Sequence, residues 1–238
     1  MTVHDILEWM NAHQDLKMKK IYTRSHQTFD ALGIKMQDLR QLAKTIGIDN
    51  ELACKLQDIH LFETMMLSTL ICDPNKLSIE QLSNWASRAE STSIIDQGLS
   101  DVILNIDHCD ELCNMWLNHE NIHLRYAGYA TLSAYFRLYP LEKMNHLLGV
   151  DSLMMIKNNI LNEPLTVQNA MNNAVVMAGL HVPQLVNLAK EVADHIGYIL
   201  PLKAKNSCNI QSASDYLKRY INQPKFSRVA RLEERKKS

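Results

Sequence analysis

The sequence predicts an all-α protein, and three observations carry that prediction. All six prolines (Pro74, Pro140, Pro164, Pro183, Pro201 and Pro224) fall between helical patterns or at their starts, where a fixed φ and a missing N–H do least harm. Between them recur amphipathic segments of roughly 10–18 residues, an ordinary helix length. No segment alternates apolar and polar residues with period two, the mark of a half-buried strand. Read in order, helices are expected near 3–13, 37–46, 49–58 and 60–72, before the joint at Pro74. The segment 78–89 opens on Ser78, with Gln81 three residues later completing a capping box. In 92–105, Ile95, Leu99 and Val102 recur at helical spacing and Ile106 extends the series. Helices at 108–118 and 122–139 follow, the second carrying Tyr129, Leu132 and Phe136 on one face and ending before Pro140. Asp151 reads as the cap separating 142–148 from 151–161, and 165–180, 183–197 and 211–221 complete the series between the remaining prolines.

Short connections favour antiparallel neighbours. A dozen such helices without a dominant four-helix pattern predict a curved α-solenoid of antiparallel helix pairs, of HEAT-like or ARM type, each pair burying a stripe against the next. No strict repeat occurs at a fixed period, so a compact irregular bundle stays as the structural alternative. Residues 1–224 are expected to form one repeat domain and 225–238 a basic tail.

With 238 residues, 46% of them hydrophobic, the chain can bury a substantial core. A net charge of −1 does not by itself advertise nucleic acid. Five cysteines, an odd number without a framework rhythm, suit a reducing compartment. There is no signal-peptide run and no apolar stretch approaching the ~18 residues of a membrane span, so a cytoplasmic location is expected. Charge is nevertheless uneven. Residues 80–120 hold eight acids against Arg88 alone, a local −7, whereas 225–238 hold six bases against Glu233 and Glu234, a local +4. Lys17, Lys19, Lys20 and Arg24 form a second basic run. Such runs can touch phosphates, although the favoured reading of the last ten residues is a solvated, frayed tail.

Three constellations are candidates for chemistry. His108, Cys109, Cys113 and His119 could be metal ligands, but Cys113 shares the apolar face of Leu112 and Trp116, and core packing is the better reading. Nucleophilic catalysis lacks any Gly-x-Ser-x-Gly elbow, phosphate-cradling loop or His-Glu-x-x-His pattern. Neither a metal nor an organic cofactor is expected. The third is Asp96 with Arg125. Asp96 lies at the edge of its helix stripe, either as a first-turn acid complementing the helix dipole or as a charge aimed into a cleft. Arg125 heads an apolar face, so its stem is buried and its guanidinium needs a partner. Asp96 is one candidate for that partner, and a structural ion pair is the plain alternative.

Several short stretches resemble, in order, the DNA alkylation repair proteins of AlkD type. They are Gly33-Ile34-Lys35-Met36 with Leu39-Arg40-Gln41-Leu42-Ala43-Lys44, Ile95-Asp96-Gln97, and Leu124-Arg125-Tyr126-Ala127-Gly128. Val167-Gln168-Asn169-Ala170 with Gly179 follows, then Asn206-Ser207-Cys208 leading to Ala213-Ser214-Asp215-Tyr216-Leu217. The resemblance implies a HEAT-like solenoid that cradles double-stranded DNA, with active members that excise N3- and N7-alkylated purines; a monomer is expected. Such a base is already cationic and leaves without a general acid, so a lone carboxylate can serve by stabilising the oxocarbenium-like sugar and positioning water. By resemblance Asp96 is that carboxylate and Arg125 holds the phosphate beside the lesion. Such members need no base-flipping pocket, unlike most glycosylases.

This sequence departs from the family pattern at the cleft aromatics. Active members carry a tryptophan one helical turn before the catalytic Asp, where this chain has Thr92, and a second after the Gln-x-Ala motif, where it has Asn173. An aromatic face attracts a cationic lesion; threonine and asparagine do not. The three tryptophans present, Trp9, Trp85 and Trp116, lie on other helices and read as core. The stretch Ile21-Tyr22-Thr23-Arg24-Ser25-His26-Gln27-Thr28, where a DNA-contacting helix is expected, is poor in strong helix formers; Tyr22 and Arg24 are its candidate DNA contacts. Three functions follow: a DNA-binding member with weak or absent glycosylase activity, favoured here; an active N-glycosylase working through Asp96; and a solenoid that binds another protein.

Overall fold

Helices start where short polar side chains can take the orphan N–H groups of a first turn. Thr2 and Asp5 form a reciprocal capping box at α1 (Val3–Ala12), and Ser78 with Gln81 forms the expected one at α6 (Ile79–Arg88). Asp15, Asp49, Asn121, Asn145 and Ser212 cap α2 (Leu16–Tyr22), α4 (Asn50–Gln57), α10 (Ile122–Leu138), α11 (His146–Asn159) and α14 (Ala213–Tyr220). The structure is a computed structural model and describes residues 1–23, 30–199 and 210–237. Every regular element among them is helical, with only the isolated bridges Asp30–Leu61 and Tyr198–Ser212 of β type. No helix there is long and apolar enough to cross a membrane.

The chain divides into two compact units, Met1–Asp107 and His108–Ser238. In the first, α5 (Phe62–Ile71) is buried nearly all round and packs against α3 (Met36–Ile46) and α4. In the second, helices pack mainly on near neighbours in the chain. Helix α10 packs on α9 (Cys109–Leu117) and α12 (Leu165–His181), α12 on α13 (Val186–Ile196) and α14, and α11 on α13. That is the packing rule of a helical repeat, in which successive pairs stack to share one core. Trp116, Tyr129, Tyr135 and Phe136 are the largest side chains closed inside this unit.

Four expectations change. The segments 142–148 and 151–161 are not two helices: one helix runs His146–Asn159 through Gly149, and Asp151 is an exposed interior residue. Gly149 does not break the helix because its bare face is filled by Leu185, whose Cδ1 would lie 2.7 Å from a Cβ there. A helix not marked by the sequence, α2, precedes the helix-poor stretch and ends at Tyr22. The chain from 225 onward carries α15 (Arg228–Lys237), with Ser227, Val229 and Ala230 buried. Ser227 ties this end to the preceding fold by donating its hydroxyl to Leu180 O at 3.0 Å. Finally, Trp85 and Trp116 are core as expected, whereas Trp9 is half-buried and stacks on His13 at 4.0 Å.

Candidate nucleic-acid interface

The segment expected as one helix over 92–105 is broken in register. Thr92–Ile94 (α7) is helical, Ile95–Leu99 forms a π turn, and Ser100–Leu104 (α8) resumes the α-helix. A π turn inserts one residue into the helical ladder and re-aims the side chains around it, and such turns concentrate at functional sites. Here Ile95, Gly98 and Leu99 face inward while Asp96 and Gln97 are exposed. The turn lies against α5 so closely that a Cβ on Gly98 would fall 2.4 Å from Thr69 Oγ1 and 3.2 Å from Met66 Sδ. Gly98 thus lets the π turn seat on α5, and the seated turn presents the Asp96 carboxylate to solvent. Gly98→Ala is expected to cost about 1–3 kcal/mol through overpacking, read as a lowered midpoint in urea; an unchanged midpoint would mean the turn is not clamped there.

Thr92, one helical turn before Asp96, is half-buried. Asn173 is exposed on α12. Neither position carries a ring. Arg125 lies in the first turn of α10, its side chain 19% exposed, and its guanidinium is satisfied within its own unit. Nε and Nη2 reach Glu163 Oε2 at 3.1 and 3.0 Å, while Nη1 donates to His119 O at 2.8 Å and Glu120 O at 2.9 Å. The partner required by that buried stem is therefore Glu163, which the sequence did not single out because it stands in a connection just before Pro164.

Tyr22 is held rather than displayed. Its hydroxyl donates to Ile34 O at 3.0 Å and its ring stacks on Phe62 at 4.4 Å; burial, and then the nearby Glu63, raise its pKa. Arg24 lies outside the described residues. The Gly33-Ile34 stretch is organised by a residue that sequence reasoning passed over. Glu63, fully buried on α5, accepts Leu32 N–H at 2.9 Å, Gly33 N–H at 2.7 Å and Ile34 N–H at 3.2 Å. Gly33 itself has φ +88, and a Cβ there would meet Asp15 O at 2.1 Å, so no other residue fits. The available signal was a single acid inside the otherwise uncharged, mostly apolar run from Phe62 to Leu67.

The histidine–cysteine group packs as core and surface. Cys113 donates its thiol to Gly128 O at 3.2 Å and burial drives its pKa well up. His108 turns outward and lies 3.2 Å from Glu111. Among the described residues, no three His, Cys, Asp or Glu side chains gather as a metal site.

A family model described as DNA alkylation repair enzyme matches residues 6–195, most of the chain. The chain belongs to that family. Uncharacterized protein Lin0241 of Listeria innocua is 23% identical to it over 199 residues, spanning 82% of this chain and 85% of the relative. Uncharacterized protein Lmo0209 of Listeria monocytogenes is 22% identical over 202 residues, spanning 83% and 87%. A solved structure from "a new family of proteins related to the HEAT-like repeat DNA glycosylases with affinity for branched DNA structures" matches with a TM-score of 0.85. That match covers 96% of this chain and 98% of the other at 19% identity, which shows that the fold is HEAT-like. Within this DNA alkylation repair family member, Asp96 and Asn173 are exposed and Thr92 is half-buried.

Proposed function

We propose that this DNA alkylation repair family member binds DNA and releases alkylated bases weakly or not at all. The observation that carries the reading is Asp96 itself: an exposed carboxylate on a π turn, preceded one helical turn earlier by Thr92 rather than an aromatic. A carboxylate alone can stabilise a developing sugar cation. Without ring faces to hold the cationic base, however, the lesion gains little residence beside it. Arg125 adds little to either reading: Glu163 neutralises its guanidinium and, with the His119 and Glu120 carbonyls, occupies most of its N–H donors, so it orders the start of α10 more than it offers a free phosphate contact. The structural match to a family with affinity for branched DNA favours a junction over a linear duplex as the ligand.

The test pairs two measurements. Duplex DNA carrying 7-methylguanine is incubated with the protein and with Asp96→Asn, and a labelled four-way junction is titrated at several salt concentrations. Base release near background and equal in both proteins is expected, with junction binding that weakens steeply as salt rises. Release well above background that disappears in Asp96→Asn would establish the active glycosylase reading instead. Absence of any salt-sensitive DNA binding would turn the search toward a protein partner.

A further inference from the structure

The second unit ends in a surface that is at once aromatic and cationic. Tyr216 and Tyr220 stand four residues apart on α14 and so share one face, with ring centroids 4.5 Å apart. Phe226, in the turn that follows, meets Tyr220 edge-on at 4.8 Å. The three rings form a short ladder: the tyrosines are half-buried and Phe226 is 38% exposed. Two cations attend it. The Arg219 guanidinium lies 5.1 Å from the Tyr220 centroid and the Lys225 ammonium 5.3 Å from that of Phe226. Neither forms an ion pair among the described residues, so each can turn toward an incoming anion without breaking one. Residues 213–237 hold eight Lys and Arg against three acids, a net +5 in a chain whose total is −1. An acidic peptide would use the cations and leave the rings idle. A bilayer would want a wider apolar face than three rings.

We propose that this surface binds a single strand of nucleic acid, its bases stacking on Tyr216, Tyr220 and Phe226 and its phosphates meeting Arg219 and Lys225. Stacking on an aromatic ladder flanked by cations is how sequence-independent single-strand sites are built, since every base offers a π face. A branched or partly unpaired DNA presents such a strand. The inference rests on the DNA-binding reading above for the class of partner, but on different residues.

The experiment measures binding of a labelled 20-nucleotide oligothymidine and of the four-way junction to the full chain by fluorescence anisotropy. The variants are Phe226→Leu, which keeps apolar bulk but removes the ring, and Arg219→Glu with Lys225→Glu on the exposed side. Loss of the ring is expected to weaken oligothymidine binding about tenfold, and the charge reversal more, with melting temperatures within a few degrees of the parent. A 5-bromodeoxyuridine oligonucleotide should photo-crosslink within the peptide from Tyr216 to Phe226. Oligothymidine binding that is undetectable, or unaffected by both variants, would overturn the inference while junction binding left the DNA-binding reading standing. Loss of binding to every DNA would overturn both.

Discussion

Glu63→Ala is expected to lower the free energy of unfolding by about 3–5 kcal/mol, the largest effect of any single substitution considered. The carboxyl group accepts three backbone N–H groups from consecutive residues, Leu32, Gly33 and Ile34, in a site with no exposure of its own. Each buried donor left without a partner costs about 1–3 kcal/mol. The segment cannot readily rearrange to recover the loss, because Gly33 is held at φ +88 with its backbone against Asp15 and Lys19. Glu63→Gln retains one acceptor oxygen and should recover part of the deficit, the other position turning an N–H₂ toward Leu32 N–H. Urea unfolding followed by tryptophan fluorescence gives the measurement. A cost below about 1 kcal/mol would show that the Leu32–Ile34 loop does not depend on the buried acceptor.

The second large effect is a dependence on pH centred on His181. Burial holds its pKa down to about 4 from 6.5, and Arg228, Arg231 and Arg137 push it in the same direction. Its Nδ1 is buried without a hydrogen-bond partner among the described residues. The imidazole is thus neutral in the folded chain at pH values where the unfolded chain protonates it. As pH falls below 6.5 the unfolded state gains a proton that the folded state refuses, and stability declines until the folded pKa near 4 is reached. Over that interval the loss amounts to about 3 kcal/mol at most. His181→Leu removes the titrating group from a site that already excludes water, so its stability should fall less over the same range. Parallel stability profiles for the two proteins between pH 7 and pH 4.5 would contradict this account. The site also locates the consequence: His181 ends α12, next to the Leu180 carbonyl that receives Ser227 ahead of α15, so acid should loosen the C-terminal helix early.

Much of this was legible in the sequence. Helix boundaries at Ser78, Pro140 and Pro164 could be read because capping and proline geometry are local and act on the few residues beside them. The two-helix reading of 142–161 failed at Gly149 because what tolerates the glycine is Leu185, more than thirty residues away in the chain. The helical spacing around Asp96 gave its face, but not the π turn. That turn depends on Gly98 seating against Thr69 and Met66, a contact that periodicity does not encode. Arg125 was recognisable as an arginine in need of a partner, since a buried stem with a charged head requires one; which carboxylate answers it was not.

By itself, then, the sequence determined an all-helical chain, the ends of most helices, its place in the DNA alkylation repair family, and the lack of tryptophan at positions 92 and 173. These follow from period, capping and residue identity, all properties of short windows. Only the tertiary structure decided that Asp96 is presented on a π turn, that Arg125 is tied to Glu163, and that Glu63 holds the Gly33 loop. Each of these joins groups distant in the chain through packing or a hydrogen bond. Such pairings are selected by the whole folded core, where an unsatisfied buried group is too costly to persist.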